Sequence, residues 1–453
     1  MNKILIANRG EIALRIINTC KRLGISTVAV YSAADEHMPF VKAAGESYLI
    51  GPGPVQQSYL KADEIIGIAR QTGVEAIHPG YGLLSENAIF AQKVKDAGLK
   101  FIGPDAQTIE LMGDKIASRV KMKDAGVPVV PGTDEGVSSI EEAIAAAEQI
   151  GYPIMLKASA GGGGIGMVRC ESEQALSQHF QSIKSRAKAY FGDDVVFLEK
   201  FVENARHIEV QVFGDSKGNI IHLFERNCSV QRRNQKVIEE SPSPSLKEDV
   251  RIRLHEAAVK AAKAVSYENA GTVEFILGED DEFYFLEMNT RLQVEHPVTE
   301  EVTGYDLVEW QIEVARGNEL PIKEQQLISS SGHAVEYRIY AEHPTTFMPS
   351  PGKITKMESS QMEGVRIDVG YEKDGTITPF YDPMIAKVIV YGETRHEVIE
   401  KSKTFFNSYL IEGIKTNIPL FQKFIESKEF MDGNYNTNVL TEWLRINKEE
   451  VNK

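Results

Sequence analysis

Apolar positions along the chain switch between strand and helix spacing. Residues 4–7 (ILIA) form a short apolar run. Ile12, Leu14, Ile16 and Ile17 then recur at helical intervals over 11–23, and Gly24 closes the segment. Ser26–Tyr31 (STVAVY) is the next strand pattern. Strand, helix and strand in that order predict parallel pairing with a right-handed crossover. The pattern repeats with a helix at 61–70, a strand at Ala76–His78, the loop PGYGLLSEN and a strand at 100–102. The first third is therefore predicted to be α/β, with loops at strand C-terminal ends that suit a ligand.

The middle of the chain changes character. A helix is predicted at 115–125, and a second one follows Ser139, where Glu142 three residues on completes a capping box. A strand at 153–158 runs into SAGGGGIGMV, and Met167, Val168 and Arg169 read as another strand. A dinucleotide fingerprint must open a helix, so that reading fails here. No Lys-Ser/Thr follows the glycines, which excludes a Walker loop. What remains is a strand–glycine loop–strand hairpin. Gly161, Gly162, Gly163 and Gly164 impose no side chains, so their N–H groups are free to wrap a phosphate chain and to move as a lid. Lys157, just before the loop, and Lys115, in MGDK, are candidate phosphate contacts or plain surface charges. Strand patterns follow at 195–199, 208–213 and 220–224, and a helix from 245 to about 267 has Ser245 and Glu248 spaced as a capping box. Further strands fall at 334–341 and 386–391, with helices at the end.

The strongest local chemistry is GTVEFIL-GEDDE-FYFLEMN. A hairpin with a four-residue loop at 279–282 would set Glu274 opposite Glu287 and Thr272 opposite Asn289. Alternation then puts Val273, Phe275, Leu277, Tyr284, Leu286 and Met288 on a core face. The two glutamates stand on the other face with Cβ atoms about 5 Å apart, which is unfavourable unless a cation lies between them. Neither strand supplies a lysine. Two carboxylates and the Asn289 amide oxygen suit Mg²⁺ (or Mn²⁺). In extended form Arg291, Gln293 and Glu295 would continue the polar face. Arginine grips small oxyanions, and Glu295 beside one could act as general base. The run Gln231-Arg232-Arg233-Asn234-Gln235-Lys236 adds positive charge, or is a solvated face.

Together these segments resemble the ATP-grasp superfamily and, within it, the biotin carboxylases. The resemblance rests on ANRGEIALRI, HPGYGLLSEN, FIGP, MGDK, KASAGGGGIGM, LEKF, RHIEVQV, CSVQRRNQK, GTVEF, EMNTRLQVEHPVTE, GHAVEYRIYAE, FMPSPG and YDPMIAKV, which span almost the whole chain. It implies α/β architecture (α+β overall): a Rossmann-like N-terminal domain at 1–114, an ATP-grasp domain at 115–330 with a lid at about 131–203, and a C-terminal domain at 331–453. It implies that ATP phosphorylates bicarbonate to carboxyphosphate, which carboxylates biotin on a separate carrier protein. This is the first half-reaction of acetyl-CoA carboxylase or a related acyl-CoA carboxylase.

By motif position, Lys115, Lys157 and Gly161–Gly164 would contact phosphates. Glu199, Lys200 and Val202 would form the adenine hinge, with His207, Gln231 and Asn234 nearby. Glu274, Glu287 and Asn289 would hold Mg²⁺. Lys236, Arg291, Gln293, Val294 and Glu295 would bind bicarbonate, with Glu295 as base. Arg338 would stabilise the biotin enolate, and Tyr81 and Gln231 would lie near biotin. Three positions depart from the family pattern: Ala160 and Ile165 in the glycine loop, and Asn227. They bear on how tightly the closed lid holds ATP. The alternatives are another ATP-grasp ligase and a non-catalytic nucleotide-sensing subunit; an intact base and Arg338 favour the first reading.

Composition bounds the rest. With 453 residues and a net charge of -15, the chain has room for about three domains and lacks the basic face a duplex nucleic-acid binder needs. Its 3 cysteines, Cys20, Cys170 and Cys228, have no metal-ligand spacing and fit a cytoplasmic setting. Cys228, His78 and His296 read as structural, and Trp310 and Trp443 as packing. No apolar run reaches a membrane span. No Met-Lys-Met signal appears near the C-terminus, so a separate carrier and separate carboxyltransferase subunits are the expected partners. A homodimer is the expected assembly.

Overall fold

In a computed structural model of the chain, residues 1–159 and 166–452 are described. Gly161–Gly164, with Ala160 and Ile165, lie outside the described residues. The N-terminal part is a 5-stranded parallel sheet in the order Glu46–Leu49, Ser26–Tyr31, Lys3–Ile6, Ala76–His78, Lys100–Phe101. Helix Gly10–Arg22 covers it, burying Ile12, Ile16 and Ile17, the stripe seen in the sequence.

A small sheet orders Met167–Cys170, Ile154–Ala158 and Val196–Lys200, all antiparallel. Helices Ile140–Ile150 and Glu173–Phe191 pack on it around Ile154, Leu156, Leu176 and Leu198. The glycine run thus joins two paired strands, Lys157 opposite Met167, as a hairpin requires. Ser139 caps its helix by accepting from Glu142 N. The Glu142 carboxylate, however, accepts from Ser138 N rather than reaching back to Ser139. The other expected capping box is absent. Helix Glu248–Ala264 starts after Lys247 with no side-chain cap, because the Ser245 hydroxyl instead accepts from Arg206.

The third sheet is the frame of the site. Its 8 strands run, in spatial order, Phe283–Asn289, Asn269–Leu277, Arg206–Gly214, Ile220–Arg232, Gln235–Ser241, His333–Tyr340, Met384–Gly392 and Val365–Val369. One continuous sheet therefore links the glutamate hairpin to the strand that carries Arg338. The charged run 231–236 is the turn between two of these strands, with Arg233 and Asn234 in left-handed conformation. Beneath one face, Tyr337 packs edge-on against Phe406 and Phe421. Trp310 and Trp443 are buried in helices Leu307–Ala315 and Val439–Val451.

Candidate active site

Register stacks the charges. Glu287 pairs with Glu274, Glu274 with Glu209, and Glu209 with Arg226, across four adjacent strands. In the neighbouring row, Asn289 pairs with Thr272 and Thr272 with Gln211. The hairpin reaches this register by a different route from the one expected. Leu277 pairs with Phe283, not Tyr284, so the turn is one residue longer. A bulge at Leu286, between the Glu274–Glu287 and Phe275–Phe285 pairs, absorbs the extra residue. The bulge also reassigns the core face. Phe283 and Phe285 join Phe275 in the core, while Tyr284 and Leu286 do not.

The expected extended run after Asn289 is also corrected. Residues 291–295 turn, and Glu295 stands at the N-cap position of helix His296–Thr303, with φ -81 and ψ 9 and no side-chain cap. Turning still brings the side chains together. Gln293 Nε2 donates to Glu274 Oε1 at 2.8 Å, and Asn289 Nδ2 does so at 2.9 Å. Arg291 donates to Asn289 Oδ1 at 2.8 Å and, through Nε, to Glu86 at 2.7 Å.

Lys236 crosses over the row. Its ammonium lies 2.5 Å from Glu209, 2.7 Å from Glu274 and 2.7 Å from Glu295. The lysine absent from both hairpin strands thus arrives from a third. Arg338 meets Glu295 at 3.0 Å and Glu239 at 2.5 Å. His207 Nε2 lies 2.8 Å from Glu274, and Gln231 Nε2 lies 2.9 Å from His207 Nδ1. Arg226, wholly buried, donates to Glu209, Gln211, Thr272, Gln293 and Thr299. Burial alone would raise the Glu295 carboxyl, but Lys236, Arg338 and Arg226 hold it well below the usual carboxylate range. Glu274 is likewise held down against burial by Lys236 and His207.

Glu287 stands apart. It has no hydrogen bond or ion pair among the described residues, and burial, then Glu274, raise its carboxyl. Lys115 and His207 oppose that rise only in part, and two carboxylates with an amide oxygen are the donor set a divalent ion prefers. Lys115 opens helix Lys115–Asp124; burial, then Lys157, lower its ammonium while Glu287 opposes them. Lys157 pairs with Glu199. Lys200 donates to the carbonyls of Gly151 and Tyr152, so its ammonium ties its strand end to the residues just before strand Ile154–Ala158. Val202 lies in the loop that follows, and Asn234 is exposed at its turn. The Tyr81 hydroxyl donates to Glu11. Asn227 is buried, and its Nδ2 has no partner among the described residues.

Glu209, Arg226, Glu86 and Glu239 escaped the sequence reading. The available signal was charge inside strand patterns, such as His207, Glu209 and Gln211 at alternate positions.

Two lysines, Lys115 and Lys157, beside a sheet row of carboxylates define an ATP-grasp ligase. The family described as "Carbamoyl-phosphate synthase L chain, ATP binding domain" matches residues 114–323. The "Biotin carboxylase, N-terminal domain" matches 1–109 and the "Biotin carboxylase C-terminal domain" matches 336–442. Biotin carboxylase 2 of Bacillus subtilis is 56% identical over 442 residues, 98% of this chain and 99% of that protein. A biotin carboxylase–β-γ-ATP complex from Campylobacter jejuni superposes with TM-score 0.95 at 47% identity, covering 97% of this chain and 98% of that one. The biotin carboxylase domain dimer of Hydrogenobacter thermophilus 2-oxoglutarate carboxylase, solved with MgADP, ADP and bicarbonate, also gives 0.95, at 45% identity over 99% of this chain and 98% of that one. The chain belongs to the biotin carboxylase family. Its activity is the ATP- and bicarbonate-dependent carboxylation of biotin.

Proposed function

We propose that the chain carboxylates biotin on a separate carrier protein, as the first half-reaction of acetyl-CoA carboxylase or a related acyl-CoA carboxylase. The observation that carries this reading is the convergence of Lys236 and Arg338 on Glu295. Both cations touch Glu295 directly, so bicarbonate would part these contacts to reach the base. Lys236 and Arg291 hold the anion, Gln293 and Val294 line it, and Glu295 takes its proton. In the resting arrangement Glu295 is a weak base, because its two cations favour the charged form. An anion that draws Lys236 and Arg338 onto itself frees Glu295 to accept a proton. Substrate binding thus switches on the base.

Lys115 and Lys157 meet the phosphates, and Glu199 with the 200–202 segment meets the adenine. Phosphoryl transfer gives bicarbonate a leaving group, and the lysines offset the charge of the transferring group. Glu274, Glu287 and Asn289 would hold Mg²⁺, which when bound supplies further charge to the ATP phosphates. Arg338 then faces the ureido oxygen of biotin and favours its anionic form, with Tyr81 on the approach side. His207, Gln231 and Asn234 border the nucleotide.

We further place the enzyme in the cytoplasm, as a homodimer beside carboxyltransferase subunits. Its 3 cysteines, all buried free thiols, are in keeping with that setting. Among the described residues, no helix is long and apolar enough to cross a membrane.

The test is Glu295→Gln, assayed for transfer of labelled bicarbonate to carrier-bound biotin. Carboxylation should vanish while ATP still binds. A variant that carboxylates normally refutes the base.

A further inference from the structure

Behind Arg338, two carboxyls stand side by side. Glu239 and Glu336 are register partners on Gln235–Ser241 and His333–Tyr340, so they share a face with Arg338, two residues further on. Lys387 joins the same face as the register partner of Arg338. Glu239, Glu336 and Lys387 are each 0% exposed. Helix His296–Thr303 closes the face, with Val298 and Val302 packed on Ala334 and Ile389.

The nearby charges are engaged elsewhere. Lys387 donates to the Val294 carbonyl at 2.8 Å and lies 3.3 Å from Glu11 and 3.9 Å from Asp368. Arg338 binds Glu239 at 2.5 Å and Glu295 at 3.0 Å. On the covering helix, His296 donates through Nδ1 to the Gln293 carbonyl at 2.7 Å, and Glu300 is held by Arg15 and Arg366 at 2.8 Å each. Both Glu336 oxygens are buried and hydrogen-bond to nothing among the described residues. A carboxylate without donors, opposite a second carboxylate, is unfavourable; a neutral acid costs much less, and less again when its proton reaches the second carboxyl.

We propose that Glu336 is a positioning residue that stays protonated and shares its proton with Glu239, so that the pair opposes Arg338 with a single negative charge. Burial pushes Glu336 well above the carboxylate range. It pushes Glu239 up to about 7, with Arg338 opposing the rise. The consequence rests on the role proposed for Arg338. With its grip on Glu239 weakened by the shared proton, the guanidinium keeps charge for the biotin oxygen. Two full carboxylates behind it would neutralise that charge.

The test is infrared difference spectroscopy of the full chain at neutral pH, with glutamate carboxyls isotopically labelled. The wild-type chain should show an exchangeable protonated-carboxyl band, and Glu336→Gln should lose one carboxyl's share of it, leaving the part that Glu11 and Glu342 contribute. Because glutamine mimics the neutral acid, Glu336→Gln should keep kcat within about threefold and KM for ATP unchanged, whereas Glu239→Gln should lower kcat about tenfold or more. No band in the wild type, or a band whose amplitude Glu336→Gln leaves unchanged, overturns the proposal. The wild-type band stands even if a variant fails to fold. It is also independent of Arg338, whose own role fails if Arg338→Gln still carboxylates biotin.

Discussion

Lys236 Nζ lies 2.7 Å from Glu295 Oε1, so the proposed base is clamped by the group proposed to hold its substrate. The same ammonium ties Glu209 and Glu274 into one cluster. Lys236→Gln leaves these carboxylates facing one another. Bicarbonate-dependent ATP hydrolysis should fall about 100-fold or more. Breaking a buried pair from one side should also cost about 3–5 kcal/mol of stability. Glu274 and Glu295 are held below their unfolded values, so the stability they contribute is present above about pH 4.3 and is lost as pH falls. The gap between variant and wild type in denaturant titrations should therefore narrow on acidification. A gap that widens would contradict the ion cluster.

Glu86 sets the second cation. It accepts from Arg291 Nε at 2.7 Å and from Thr290 N at 3.1 Å, pinning the turn that carries Arg291. Glu86→Gln should raise KM for bicarbonate about tenfold, equivalent to about 1.4 kcal/mol, and leave KM for ATP unchanged. Initial-rate kinetics with each substrate varied separates the two. Equal rises in both constants would mean a general distortion instead.

How much of this was legible beforehand depends on the range of the interaction. Ser26–Tyr31 and Ala76–His78 have the bounds the apolar pattern gives, because local spacing sets them. The Glu274–Glu287 pairing was legible too, but the turn used to derive it was not. A bulge at Leu286 compensates for the longer turn, and nothing local in FYFLEMN marks it. Lys236 over Glu274 and Arg226 over Glu209 were invisible, since strand order, not sequence distance, joins them. The run 231–236 stays open between added positive charge and a solvated face, because a hairpin turn and a charged face look alike in one dimension. The turn exposes Arg233 and Asn234 and sends Lys236 inward.

Glu240 predicts an acid limb away from the chemistry. It accepts from Arg395 Nε at 2.7 Å, from His333 Nε2 at 2.6 Å and from the Tyr435 hydroxyl, tying four segments together. Burial would raise its carboxyl, but Arg395 and His333 bring it down to about 2. A depressed carboxyl stabilises the fold above its unfolded pKa, near 4.3, and loses that contribution as pH falls toward 2. The contribution is about 3 kcal/mol. Glu240→Gln should lower stability at neutral pH and flatten its fall between those limits. Urea titrations across that range give both numbers, and a variant with the wild-type slope would exclude Glu240 as its source.

The thiols offer a check on burial at the site itself. Cys20, Cys170 and Cys228 are all buried. Burial pushes Cys20 up to about 12 and Cys170 up to about 11. Cys228 lies 3.9 Å from Glu295 Oε1; burial, then Glu209, raise its thiol well above the usual range, although Lys236 opposes them. The thiolate is the reactive form, so none of the three should react with a disulfide reagent at mildly alkaline pH while the chain is folded. All 3 should react after denaturation. Bound ATP with bicarbonate should slow labelling further by stabilising the folded state. Fast native labelling of Cys228, rising in step with loss of carboxylation, would mean that water reaches the Glu295 cluster and that the cations there are weaker than their distances imply.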